Sequence, residues 1–229
     1  MNRFSDFISL RYSAGGHPAT RVISQPAGAV LAWSGLRLGL SPNIVTGIAL
    51  LTSLLASAAY ALLDPGSQAM LTCIVLTQLG YALDCADGQL ARATQRTSRL
   101  GAWLDVYCDY LAVLALSFAV IARLEYAGEL PQPGILVVVL FFTFGRVSSL
   151  YSSTMARLWR SAEQKSEAAR KSAARTLLTL AIDTPVTLLT ICLLRDRPRW
   201  LIAYMLLGGS VFVLHGAYVG RGAARAPAA

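Results

Sequence analysis

Four aspartates, Asp84, Asp87, Asp105 and Asp109, fall in the stretch DCADGQLARATQRTSRLGAWLDVYCD, which joins two strongly apolar segments. Four carboxylates beside a bilayer are costly and demand a compensating partner. Divalent metal binding supplies one. Asp84 and Asp87 are spaced i,i+3, and Asp105 and Asp109 i,i+4. On two helices, each pair shares a face. Two such faces meeting would form an oxygen-rich pocket suited to one or two hard cations such as Mg²⁺. Gly88, Ala91, Arg92 and Gly101 lie between the pairs. Small residues let a ligand approach the backbone closely, and an arginine offers phosphate a fork of donors. The same small residues would equally suit helix–helix packing.

The elements that must position these residues are apolar helices. Of the 229 residues, 55% are hydrophobic and only 14% charged, where a soluble domain carries about a quarter. The mean hydropathy is +0.53, and a soluble chain this apolar would expose large sticky patches. An all-α integral membrane protein is therefore expected, with one membrane domain. Six transmembrane helices are read at Asn43–Leu63, Gln68–Cys85, Gly101–Leu124, Gly134–Met155, Ala174–Leu194 and Arg199–Gly220. Pro26–Leu40 is too short to cross a bilayer. It reads as an N-terminal interfacial amphipathic helix, with Trp33 and Arg37 near the headgroups. The domain reading is a cytoplasmic segment over 1–41, a six-helix transmembrane domain over 42–220 and a disordered tail over 221–229. Residues 1–24 are too polar for a cleavable signal peptide, so the spans are expected to direct insertion.

The net charge of +8 does not point to nucleic acid, because only two of the twenty basic residues are lysine and they cluster in loops between spans. It reads as orientation and attraction to anionic headgroups. With the N-terminus inside, fifteen basic residues fall on the inner side and four on the outer. Both termini and the aspartate-bearing loop are then expected in the cytoplasm, at the cell membrane. The outer loop with Arg195, Arg197 and Arg199 is the one feature against this bias.

Two further charges fall inside or beside spans, Arg146 and Asp183. Arg146 is a candidate for binding an anionic group, and the competing reading is an Arg146–Asp183 ion pair. Pro185 is expected to kink the fifth span. The basic residues Arg157, Arg160, Lys165, Arg170, Lys171 and Arg175 read as a solvated, lipid-facing surface. His17 and His215 are isolated in sequence and read as structural. The four cysteines have no metal-ligand spacing and read as small buried thiols. Ser41-Pro42-Asn43 reads as a helix start.

The pattern D-x2-D-G-x2-A-R-x8-G-x3-D-x3-D over residues 84–109 resembles the signature of the CDP-alcohol phosphotransferases (CDP-alcohol phosphatidyltransferases). The resemblance implies transfer of a substituted phosphoryl group from a CDP-alcohol to an alcohol acceptor, with release of CMP. It implies Mg²⁺ or Mn²⁺, two ions, held by Asp84, Asp87, Asp105 and Asp109, with Asp109 also the general base. It implies CDP binding at Gly88, Ala91, Arg92 and Gly101. Pro42-Asn43-Ile44-Val45-Thr46 is similar to the family's Pro-Asn-x-x-Thr entrance, which adds Asn43 and Thr46 to the nucleotide side. Arginines of later spans serve phosphorylated acceptors in such families, which assigns Arg146 to the acceptor. CDP-diacylglycerol with a polyol phosphate such as glycerol phosphate or inositol phosphate is the expected substrate pair. A homodimer in the lipid bilayer is the expected assembly. A divalent-cation transporter with carboxylate ion sites is the alternative. It fits less well, because its ion sites belong near mid-membrane and an arginine adjoins these carboxylates.

Overall fold

The computed structural model describes residues 17–128, 131–159 and 183–224. Among them every regular element is helical. A short π-helical turn, Thr20–Ser24, leads into α1, Gln25–Arg37. Then follow α2 (Pro42–Leu62), α3 (Ser67–Ala93), α4 (Arg99–Ala127), α5 (Gln132–Trp159), α6 (Thr184–Leu193) and α7 (Pro198–Ala224). Five of these, α2, α3, α4, α5 and α7, are long and apolar enough to cross a membrane. Their outer faces carry exposed Leu51, Leu55, Phe118, Val137, Phe144 and Leu207, as a lipid-facing surface requires. Of the expected fifth span, only α6 and its flanks are described. The first part of that span and the basic residues from Arg160 to Arg175 lie outside the described residues, as do residues 225–229 of the expected tail.

Local sequence explains the boundaries. Ser41 caps α2 by accepting from the Ile44 amide at 3.4 Å, with Pro42 in the first turn. Ser98 caps α4 in the same way, accepting from the Gly101 amide at 2.9 Å. Gly128, at φ 65°, closes α4 in the left-handed conformation that glycine adopts without strain. The helix of the second span runs on past Cys85 to Ala93, so the signature residues up to Arg92 stand on a rigid element. The last helix likewise runs past residue 220 to Ala224.

Pro185 does not kink a helix. Asp183 is extended (φ −68°, ψ 128°), and Pro185 sits in the first turn of α6, where its missing N–H costs nothing.

Two apolar clusters hold the bundle at its opposite ends. Tyr60, Cys73, Leu124, Ile135, Ile191, Leu201 and Met205 pack where α2, α4 and α6 end and α3, α5 and α7 begin. A smaller group, Ala29, Ala32, Val45, Ala86 and Leu90, fastens α1 and α2 to the far end of α3. Gly28 makes the α1 contact possible: a Cβ there would meet the Ala82 carbonyl oxygen at 3.0 Å. Helices α5 and α7 run parallel and closely packed, with Gly209 against Phe142 and Gly216 against Ser148.

Arg195, the first of the three arginines that stand against the charge bias, is 2% exposed. Its Nε donates to the Tyr60 carbonyl at 2.9 Å and its Nη2 to the Leu63 carbonyl. These carbonyls at the end of α2 have no partner within the helix. Asp196 balances the charge, accepting from Arg195 at 3.0 Å and from Arg123 at 2.6 Å. The loop's first arginine is thus a helix cap rather than a free surface cation.

Candidate active site

Consecutive spans run antiparallel, so the start of α2, the end of α3 and the start of α4 meet at one end of the bundle. That meeting brings the two aspartate pairs together. Asp84, Asp87 and Asp105 each offer a carboxylate oxygen, and these oxygens lie within 4.8 Å of one another. Three hard oxygen donors at this separation suit a divalent cation such as Mg²⁺ or Mn²⁺. Asp109 stands one turn beyond Asp105 and lines the same cavity, but it is not part of this close group.

Asp87 is 5% exposed, and a buried carboxylate needs donors. Thr46 supplies one: its Oγ1 donates to Asp87 Oδ2 at 2.5 Å and also lies 3.2 Å from the Pro42 carbonyl. Thr46 therefore fixes the orientation of Asp87 from α2.

The cavity encloses about 740 Å³ and is lined by all four aspartates together with Thr46, Gly88, Arg92 and Arg146. Asn43, Ala91 and Gly101 are not among its lining residues. Gly101 is in the capped first turn of α4, where a Cβ would stand 3.1 Å from Ser98 Oγ and 3.3 Å from Asn43 Oδ1. At Gly88 the nearest neighbour is Arg92 itself: a Cβ would meet its Nη1 at 3.1 Å. The absence of a side chain at Gly88 thus lets the Arg92 guanidinium fold back along α3 towards the carboxylates.

Arg146 reaches the cavity from α5. Its Nη2 donates to Thr184 Oγ1 at 3.4 Å and its guanidinium lies 4.7 Å from the centroid of the Phe212 ring. The Arg146–Asp183 ion pair is not formed. Asp183 is fully buried and is met instead by the Ala19 amide at 2.7 Å, the Thr20 amide at 3.1 Å and Thr20 Oγ1 at 2.5 Å.

Sequence reasoning missed several lining residues. His17 and His215 both border the cavity, with ring centroids 6.4 Å apart, and His215 Nδ1 lies 2.8 Å from Ser149 Oγ. Thr20, Tyr81 and Ser149 also line it. No local pattern could have joined these, since they come from the segment before α1 and from α3, α5 and α7. Three of the four cysteines, Cys73, Cys108 and Cys192, are buried free thiols and Cys85 is half-buried.

The site thus combines clustered carboxylates with two guanidinium groups in one cavity. Hard cations suit the first, and phosphate oxygens suit the second. Residues 39–215 match the sequence model of CDP-alcohol phosphatidyltransferase. A curated archaetidylinositol phosphate synthase from Pyrococcus horikoshii is 36% identical over 83 residues, which is 36% of this chain and 42% of that protein. The aligned part is therefore less than half the length of that relative.

Proposed function

Since the chain belongs to the CDP-alcohol phosphatidyltransferase family, we propose that it transfers the phosphatidyl group of CDP-diacylglycerol to the hydroxyl of a polyol phosphate, releasing CMP. The hydroxyl oxygen forms a bond to the phosphorus that carries the diacylglycerol. The bond from that phosphorus to the CMP oxygen breaks. Asp109 takes the proton from the attacking hydroxyl as general base. A carboxylate within the same cavity as the close group, yet outside it, is suited to that task.

The diphosphate is strongly anionic, so charge neutralisation is the main catalytic demand. Asp84, Asp87 and Asp105 are the residues that would hold the metal, two ions of Mg²⁺ or Mn²⁺ with Asp109 as a further ligand. Bound there, a divalent cation supplies charge stabilisation for the leaving CMP. Arg92, folded over Gly88, supplies donors to the nucleotide phosphates. Asn43, Ala91 and Gly101 surround this nucleotide side, and Thr46 serves it through Asp87. Arg146 receives the phosphate of the acceptor, glycerol phosphate or inositol phosphate. The relative's name, archaetidylinositol phosphate synthase, agrees with a phosphorylated polyol.

In this reading the chain crosses the cell membrane six times, with α1 lying at the interface. The cavity and both termini face the cytoplasm, where nucleotides are, and the enzyme works as a homodimer. A cation transporter is disfavoured by Arg92 and Arg146, which put two positive charges beside the ion path. The observation that carries the proposal is the close group of three aspartates sharing a cavity with those arginines. The test is CMP release by purified protein in mixed micelles with CDP-diacylglycerol and Mg²⁺. Acceptors would be glycerol phosphate, inositol phosphate, inositol, serine and none. Release that needs metal and one phosphorylated acceptor is expected. Release with no acceptor of the panel, or with a non-phosphorylated one alone, would overturn the substrate pair. Failure to bind any cytidine nucleotide would overturn the reaction class.

A further inference from the structure

Asp183 is the N-cap residue of α6, yet its side chain makes no capping bond to its own helix. An aspartate at this position ordinarily accepts from the second or third amide of the helix it begins. Here the carboxylate is given to a different helix more than 160 residues away. The helical run that leads into α1 begins at Pro18. Proline has no N–H, so the first orphan donors of that run are the amides of Ala19 and Thr20. Asp183 Oδ2 accepts from both, at 2.7 and 3.1 Å, and Oδ1 accepts from Thr20 Oγ1 at 2.5 Å. The positive end of the helix dipole adds to the attraction. A fully buried charge is thus satisfied from one short segment.

Thr20 carries the contact further. Its hydroxyl has one hydrogen, committed to a carboxylate that can only accept. Tyr81, whose OH is 3.1 Å from Thr20 Oγ1, must therefore be the donor between them. Tyr81 is on α3, three residues before Asp84, and both line the cavity. The neighbour of Asp183, Thr184, accepts from Arg146. One network therefore joins the segment before α1, α3, α5 and the start of α6. Tyr81 and Arg92 are eleven positions apart on α3, about 16 Å along the axis. The aspartates lie between them. The Asp183 network is thus at the Arg146 end of the cavity, away from the Arg92 end.

We infer that Asp183 is a positioning residue: it latches the segment carrying His17 and Thr20, which lines the cavity, as part of the wall against which the acceptor alcohol is held. The inference rests on the transferase reading for what occupies the cavity, but the latch itself does not depend on it. The release of the latch is tested with Asp183→Ala, Thr20→Val and Thr20→Ser in the full chain. Hydrogen exchange is read on peptides covering residues 17–24 and, as a control, 25–37. Kinetics are read with CDP-diacylglycerol and with glycerol phosphate or inositol phosphate, whichever supports wild-type turnover.

Thr20→Val should speed exchange over residues 17–24 and leave 25–37 unchanged. It should raise the acceptor KM about tenfold, the size expected for losing a hydrogen bond to a charged group, with the CDP-diacylglycerol KM unchanged. Thr20→Ser should restore both. Asp183→Ala, where it folds, should exceed Thr20→Val in the same direction. Unchanged exchange in Thr20→Val would overturn the latch. Faster exchange with equal rises in both KM values, or with a fall in kcat alone, would overturn its role at the acceptor. A wild-type protein that releases no CMP would count against the transferase reading instead, and the exchange result would still decide the latch.

Discussion

Replacing Thr46 by valine removes one hydroxyl and nearly nothing else, since the two side chains have almost the same shape. The hydroxyl is 2.5 Å from Asp87 Oδ2, and both residues are buried, at 4% and 5% exposure. Water cannot readily replace the lost donor. A hydrogen bond to a charged group contributes about 1.5–3 kcal/mol. If Asp87 is a metal ligand, part of that energy holds its carboxylate in the ligating orientation. Loss of such an outer partner weakens metal affinity about 10- to 100-fold, which corresponds to about 1.4–2.8 kcal/mol. The two ranges agree. Direct Mn²⁺ binding to purified protein, followed by electron paramagnetic resonance or calorimetry, measures this without turnover. Thr46→Val should weaken binding at least about tenfold, while Thr46→Ser, which keeps the donor, should bind as wild type does. Unaltered Mn²⁺ affinity in Thr46→Val, with Asp87→Asn as the reference for a lost ligand, would refute the reasoning.

The other expectations concern separate parts of the molecule. Asp109→Asn should abolish CMP release while leaving cytidine nucleotide binding and the melting temperature near wild type; retained turnover would remove Asp109 as the base. Arg146→Ala should raise the KM of the phosphorylated acceptor more than that of CDP-diacylglycerol, and equal changes in both would reject an acceptor role. Arg195→Met breaks the bonds to the Tyr60 and Leu63 carbonyls at the far end of the bundle, while Asp196 keeps Arg123 as its partner. A buried acceptor left without its donor costs about 1–3 kcal/mol, so thermal unfolding in detergent should shift clearly downward. Its KM values should not change, and a variant as stable as wild type would show the cap to be dispensable.

The sequence by itself determined the helical class, the approximate place of five helices long and apolar enough to cross a membrane, and the aspartate faces. Those features are local. Apolar runs long enough to cross a bilayer announce themselves by composition, and i,i+3 or i,i+4 spacing sets a shared face on any helix. The convergence of Asp84, Asp87 and Asp105 followed once α3 and α4, each packed on α2, faced one another across the cavity.

Tertiary structure decided which polar groups meet across long separations. Thr46 is 41 residues from Asp87, and only the packing of α2 on α3 brings its hydroxyl to that carboxylate. Arg195 reads in sequence as a misplaced surface charge, because nothing nearby shows that the carbonyls of Tyr60 and Leu63 await it. Asp183 reads as a possible mate for Arg146, since opposite charges in apolar surroundings invite pairing, but the nearer and better aligned donors are the amides of Ala19 and Thr20. Pro185 reads as a kink because the apolar run continues through it, whereas the chain begins a new helix there. For Thr46, Arg195 and Asp183 the determining quantity is a donor or acceptor on a distant element. Local periodicity carries no record of it, and only the folded chain brings it within hydrogen-bond reach.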